Sequence, residues 1–161
     1  MEPLVAQLVV TLNLGCGRFP MADAINLDRI AGPGVNIVHD LDDTPWPFDD
    51  DMFTTIHAVQ VFEHVDNPVG FMCEAWRVLT VGGDLHLSVP HYLSENSHTD
   101  PTHRRHCTLH TWDYWIAGTP LNASNGPVYG GDIHRFEALG IDHIADDIHV
   151  TLRKIAASEI P

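Results

Sequence analysis

Gly15-Cys16-Gly17, Asp28 and Asp40 are the residues whose types and order suit the binding of a nucleoside-like group. Glycine has no Cβ, so main chain built from it can approach a ligand that other residues would hold off. A carboxylate at the end of a short apolar run can accept both hydroxyl protons of a ribose. A second one, at the end of the next run, can accept from an exocyclic amine such as that of adenine. The nicotinamide pattern G-x-G-x-x-G fits poorly. Its third glycine would fall at Pro20, and Asp28 follows Gly17 by only eleven residues, against a usual separation of about 20. A lone G-x-G after a strand is often only a tight turn, and a lone acid often only a cap. The ordered set is the stronger signal.

Histidines form the second chemical grouping: His91, His98, His103, His106 and His110 lie close together in the chain. Were residues 103–110 helical, with Asp100-Pro101 as the cap, His103, His106 and His110 would share a face and could bind zinc. No Cys or acid stands as an obvious fourth ligand, and Arg104-Arg105 adds positive charge. The preferred expectation is therefore histidines on a polar pocket or surface, with no metal. His64 and His103 are nominated as acceptor-side residues or bases, although His64 could equally cap the helix that starts near Asn67.

These groups need a framework. Val9–Leu14 is an apolar, β-branched run stopped by Gly15, which reads as a buried strand. Ala24–Asp28, Val35–Asp40 and Phe53–Val61 read as three more strands, and residues 43–48 must be irregular because two prolines fix φ and remove donors. A helix follows, capped by Asp66 or Asn67, opened by Pro68, carrying Val69, Met72, Trp76 and Leu79, and ended by Gly82-Gly83. Asp84–Val89 is a fifth strand. Ile148–Arg153 alternates apolar and polar residues, as a half-exposed edge strand does. Trp112, Tyr114, Trp115 and Ile116 suggest a short helix packed on the core, and residues 118–131 a long loop. The pattern is α/β: a Rossmann-like, mostly parallel sheet of about six strands with flanking helices and an antiparallel C-terminal edge strand. Ligands in such sheets sit beyond the carboxyl ends of the strands, which selects Gly15–Gly17, Asp28, Asp40 and the segment after Val59.

On these residues a family resemblance can be stated. Leu12-Asn13-Leu14-Gly15-Cys16-Gly17 resembles the first motif of class I methyltransferases that use S-adenosylmethionine (SAM). Asn26-Leu27-Asp28 resembles their ribose-binding acid, and His39-Asp40-Leu41 with Pro45-Trp46-Pro47-Phe48 their adenine-binding stretch. Val61-Phe62-Glu63-His64-Val65 and Glu74–Gly83 resemble the block typical of the type 11 group. The resemblance runs from Leu12 to Pro90. It implies a SAM site formed by Asn13, Gly15, Cys16, Gly17, Asp28, Asp40, Leu41 and Gln60, with Gln60 close to the sulfonium. It also implies methyl transfer to a small-molecule or saccharide acceptor by in-line displacement. Only residues 18–25 separate Gly17 from Asn26, so the family's first helix is expected to be shortened or absent. The C-terminal region is expected to be short for two full terminal strands with a substrate-capping insertion.

Composition narrows the rest. The chain has 161 residues, 44% hydrophobic and 19% charged, which suits one soluble domain, with a SAM-binding part over about 9–90 and an acceptor-side part over about 91–161. Twenty-two Asp and Glu against eight Lys and Arg give a formal charge of −14, which argues against a nucleic-acid partner. No apolar run is long enough for a membrane span. Glu2 stands where a secretory signal would carry basic residues, and three cysteines without metal spacing read as reduced, so a cytoplasmic setting is expected. The competing readings are a non-catalytic SAM-binding module, a histidine-zinc hydrolase, and a structural protein with an inherited fold.

Overall fold

The computed structural model describes residues 10–131 and 133–156. Val9 and the acid near the N-terminus lie outside the described residues. The strands are β1 (Thr11–Leu14), β2 (Ala24–Asp28), β3 (Ile37–Val38), β4 (Phe53–Val59), β5 (Leu79–Pro90), β6 (Phe136–Ile144) and β7 (Asp147–Lys154). They form one sheet of order β3-β2-β1-β4-β5-β7-β6. β1 to β5 are mutually parallel, and β7 pairs antiparallel with both β5 and β6. The fold is thus the expected α/β sheet with an antiparallel edge, with seven strands instead of about six. The rim strand is β6, so the 148–153 alternation belongs to β7, one place inside the edge. Two terminal strands fit after all, because a hairpin needs only Ala145-Asp146 as its turn. β6 escaped notice because it is mostly exposed and its register breaks between Ala138 and Gly140, which blurs the two-residue period.

No helix joins β1 to β2. Parallel neighbours usually need a crossover of a dozen or more residues, yet here nine suffice, from Gly15 to Asp23. Two buried asparagines replace the helix as the sink for backbone polar groups. Asn13 Nδ2 donates to Asn26 Oδ1 at 2.9 Å and to the Phe19 carbonyl at 3.3 Å. Asn26 accepts from the Met21 amide at 2.8 Å and donates to the Met21 carbonyl at 2.9 Å. A link this short can close only if those buried groups are satisfied.

Helix α1 (Pro68–Val78) starts where expected: Asn67 caps it by accepting the Gly70 amide at 2.8 Å, with Pro68 in the first turn. It ends four residues earlier than Gly82 would place it. Leu79 is already extended and pairs with Phe53 of β4, so the sheet ladder captures the backbone before the glycines are reached. Phe71, Met72, Ala75 and Val78 bury against the sheet, and Phe71 packs edge-on against Trp46 and Phe62 at 5.3 and 5.5 Å between ring centres.

Three further expectations change. Residues 103–110 are not helical. The Arg104 amide donates to the Glu63 carbonyl and the Tyr92 amide to the Cys107 carbonyl, so long-range partners take the groups a helix would need. The short helix in that region is α2 (Glu95–Thr99), which Asp100 ends instead of starting one. Residues 110–115 are turns that bury Trp112 and Trp115 in the core. The 118–131 stretch holds α3 (Pro120–Asn125) and a 3-10 turn (Gly126–Val128). It is pinned by buried Asn122, whose amide donates to the carbonyls of Tyr114 and Gly131 at 2.8 and 2.7 Å. Strand β3 keeps only two residues of the expected six, and β4 stops at Val59 because Gln60 adopts φ +56. Among the described residues no helix is long and apolar enough to cross a membrane.

Candidate functional site

A cleft of about 220 Å³ opens beyond the carboxyl ends of β1, β2 and β4. Of the eight residues expected to bind cofactor, Gly15, Asp28, Asp40, Leu41 and Gln60 line it, as does His64. Asn13, Cys16 and Gly17 do not. Asn13 holds the short β1–β2 link, Cys16 is buried with its amide on the Leu27 carbonyl, and Gly17 acts through Asp28. Sequence reasoning missed Arg29, His39, Asp42, Val61, Val65 and Thr102 on the same wall. The first three flank residues already singled out. Thr102 comes from a distant loop and leaves no local signal.

Asp28 is held from two sides. Its Oδ2 accepts the Gly17 amide at 2.8 Å and its Oδ1 the Ile30 amide at 2.9 Å. Each oxygen keeps a second lone pair, so the carboxylate is oriented without being exhausted. Asp42 is different: its two oxygens accept the amides of Asp66 and Asn67, tying the acidic loop to the start of α1. Among the described residues the Asp40 carboxylate accepts only the Asp42 amide, through Oδ1, and so retains acceptor capacity. Leu41 is fixed through its carbonyl by Trp46 Nε1 at 3.0 Å.

Gly15 has φ +59, and a Cβ there would lie 2.5 Å from Val61 Cγ2. Gly17, at φ +49, has no atom nearer than 4.0 Å to such a Cβ. A Gly15→Ala variant is therefore expected to lose about 1–3 kcal/mol through overpacking, added to the left-handed penalty of about 1–2 kcal/mol that Gly17→Ala alone would show. Urea unfolding of the two variants side by side checks the order. Equal losses would mean that Val61 simply moves away.

Beside the cleft, His64 and His103 meet edge-on, with ring centres 4.7 Å apart. Glu63 lies behind them, 1% exposed, and neither of its carboxylate oxygens has a hydrogen-bond partner among the described residues. Burial, with smaller contributions from Asp147 and Asp100, pushes its carboxyl up to about 7, opposed by its own backbone amide and by Arg105. Burial, and then the neighbouring His103, lower the His64 pKa and so disfavour its charged form. The other histidines are dispersed. His106 bonds Ser97 Oγ and stacks on His98 at 4.1 Å, while His110 pairs with Asp113 on the surface. A second, more open cavity of about 580 Å³ is lined by Gln60, Pro90, Asn96, Asp100, His103 and Asp147, among others. Gln60 lies on both walls.

Residues 19–87 match the sequence model of the methyltransferase domain. Those residues thus carry the signature of a methyltransferase domain, and the sheet around them has the fold of solved SAM-dependent methyltransferases. No curated protein matches it in sequence. By fold the chain is similar to a SAM-dependent methyltransferase from Mesorhizobium loti, at 16% identity over 90% of each chain and a TM-score of 0.57. It is also similar to the Burkholderia thailandensis 1,6-didemethyltoxoflavin-N1-methyltransferase, solved with 1,6-didemethyltoxoflavin and S-adenosylhomocysteine, at 12% identity over 91% of this chain and 71% of that one, TM-score 0.58. A SAM-dependent methyltransferase from Methanosarcina mazei gives 15% identity, 91% and 92% coverage, and a TM-score of 0.61. At these identities the likeness concerns the fold. The donor set of the cleft fits SAM: an oriented carboxylate at Asp28, a second acceptor at Asp40, and a Cβ-free turn at Gly15.

Proposed function

We propose that this methyltransferase holds SAM in the first cleft and transfers its methyl group to a small, hydroxyl-rich acceptor of saccharide type in the second. The observation that carries this reading is the position of Gln60, which lines both cavities and is held there in a left-handed conformation. A non-glycine residue at such a φ stores about 1–3 kcal/mol of strain, which surrounding structure must impose, here with the Gln60 amide bound to the Ser88 carbonyl. Gln60 then marks the junction where donor and acceptor meet.

In this reading Asp28 holds the ribose and Asp40 the adenine amine, with Leu41 against the base and Gly15 beside the methionine portion. His64 and His103 face the acceptor, whose hydroxyls find further partners in Asn96, Thr99, Asp100 and Asp147 on the second wall. SAM supplies a methyl group already activated on a sulfonium, so alignment and exclusion of water are the protein's main task, worth up to roughly 7–11 kcal/mol. The formal charge of −14 supports a small acceptor over a nucleic acid. Residues 9–90 would serve the donor and 91–161 the acceptor within one domain, and three cysteines, an odd number without metal-type spacing, suit a reducing cytoplasm.

Calorimetric titration with SAM and with S-adenosylhomocysteine should give saturable binding near one equivalent. Incubation of the SAM complex with a panel of mono- and oligosaccharides should release S-adenosylhomocysteine for at least one of them. Absence of SAM binding at millimolar concentration in folded protein overturns the donor site. Binding with turnover only on non-hydroxylated acceptors overturns the saccharide assignment.

A further inference from the structure

We infer that Glu63, His64 and His103 form a binding site for a divalent transition-metal ion, with Zn²⁺ as the reference ion, set between the two clefts. One ligand atom from each residue lies within 4.8 Å of the other two. Two imidazoles and one carboxylate are a ligand set that zinc and its first-row neighbours accept, and three protein ligands leave a coordination position open.

The tautomers of both rings follow from their partners. Thr102 has one hydroxyl proton and directs it to Asp100 Oδ1 at 2.7 Å, the bond that holds the Asp100 carboxyl below its usual range. The Thr102 oxygen, 2.9 Å from His64 Nδ1, must then accept from that nitrogen. His103 Nδ1 lies 3.0 Å from the Ser97 carbonyl, which can only accept. Both rings thus carry their proton on Nδ1 and offer Nε2 as a lone pair. Metal-binding histidines are oriented in this way, by donating the second ring nitrogen to a carbonyl or carboxylate, and Asp100-Thr102 relays a carboxylate to His64.

Glu63 is the second, independent sign. A buried carboxylate with no donor costs several kcal/mol unless it is protonated or paired, and Glu63 has no hydrogen-bond partner. Its charged surroundings are Asp147, Asp100 and Arg105, so acids outnumber the one base. The Arg105 guanidinium is occupied by the carbonyls of Phe62 and Val65. A cation held against Glu63 and the two Nε2 atoms would supply what the carboxylate lacks. Zinc ligands at about 2.0–2.2 Å from the ion stand about 3.3 Å apart, so the widest pair must close by roughly 1.5 Å. Rotation of three side chains on loops can provide that.

His64 lines one cavity and His103 the other, and Gln60 lines both, so an open position there would take a water or an acceptor hydroxyl. When the metal is bound, the Nε2 atoms are ligands and not bases, and the ion lowers the pKa of the bound hydroxyl, whose proton leaves to solvent. The metal site does not require the acceptor to be a saccharide, nor the chain to turn over.

The test is titration of chelator-treated full-length protein with Zn²⁺, followed by calorimetry, and with Co²⁺, followed by its visible absorption. One equivalent should bind, and Co²⁺ should show the bands of a low-symmetry nitrogen and oxygen site. Glu63→Gln and His103→Ala should each weaken Zn²⁺ binding at least tenfold, and Thr102→Val about 10–100-fold while the melting temperature stays unchanged. His106→Ala and His110→Ala should leave it intact. Should Glu63→Gln fail to fold, His103→Ala and Thr102→Val decide. Zn²⁺ binding that is absent, that survives these substitutions, or that falls instead with His106→Ala overturns the inference. SAM titration of the same metal-free samples separates this failure from failure of the donor site.

Discussion

Asp28→Ala is expected to weaken SAM binding by about 10²–10⁴-fold, while the protein stays folded. Each hydrogen bond to a charged partner contributes about 1.5–3 kcal/mol, and the ribose offers two hydroxyls to one carboxylate, at about 1.4 kcal/mol per decade of affinity. The same substitution frees the amides of Gly17 and Ile30, which Asp28 accepts at 2.8 and 2.9 Å. Both sit at exposed positions where water can replace the carboxylate, so the cost in stability is small. The cost in preorganisation is larger, because the turn that must lie against the donor loses its anchor. Asp28→Asn separates the two effects: it keeps an acceptor oxygen for the turn but removes the charge, and should fall between the parent and Asp28→Ala. Calorimetry on the three proteins, with circular dichroism to verify folding, gives the answer. Affinity within tenfold of the parent in Asp28→Ala would move the ribose to another residue.

The second large effect concerns stability. Glu74→Ala should cost about 3 kcal/mol, the low end for breaking a buried ion pair, because the partly buried Arg77 loses its two-pronged partner but keeps Asp50. Glu74 accepts Arg77 Nε at 2.8 Å and Nη2 at 2.7 Å, a two-pronged pair, and also the Trp46 amide at 2.6 Å. Arg77 in turn donates to the carbonyls of Phe48 and Trp46 and to Asp50. This network fastens residues 46–50 to α1, and through Trp46 Nε1 it fixes Leu41 on the cleft wall. Loss of Glu74 should therefore weaken SAM binding as well as folding. Burial alone would raise the Glu74 pKa, but the bonds from Arg77 and the Trp46 amide outweigh it and leave it below the ordinary 4.5. A carboxyl with a depressed folded-state pKa stabilises fully above its unfolded value, and that stability disappears as pH falls through the folded value. The difference in unfolding free energy between the parent and Glu74→Gln should accordingly be largest near neutrality and shrink below pH 4.5. A difference that stays constant with pH would mean that the charge of Glu74 contributes nothing.

Much of the donor cleft was legible before any coordinates. In a parallel sheet the strand ends converge on one edge, so residues that end strands gather there whatever the details of packing. Gly15, Asp28 and Asp40 each close an apolar run, Gln60 was implied by the family resemblance, and all four line the cleft. Asn13 and Cys16 could not be placed in this way. They belong to the same motif, yet the missing first helix forces Asn13 to satisfy the β1–β2 link and buries Cys16. The helix that would have put His103, His106 and His110 on one face does not form, for a related reason. Histidine spacing is a local signal, and it was overridden by an amide–carbonyl bond from Arg104 to Glu63 and by Arg105 reaching the carbonyls of Phe62 and Val65.

By itself, the sequence determined the α/β class, the strands that end on the turns and acids of the cleft, the cap and first turn of α1, and the resemblance to SAM-dependent methyltransferases. All of these depend on neighbours within a few residues, where periodicity, capping and glycine chemistry act. Only the tertiary structure decided which side chains are spent and which are free. It turned Asp42 into a tie and left Asp40 open, placed β7 inside β6, and brought His103 across the chain to His64 in front of a buried, unpartnered Glu63. Those outcomes depend on where distant backbone amides and carbonyls find partners once water is excluded, and no local pattern encodes that.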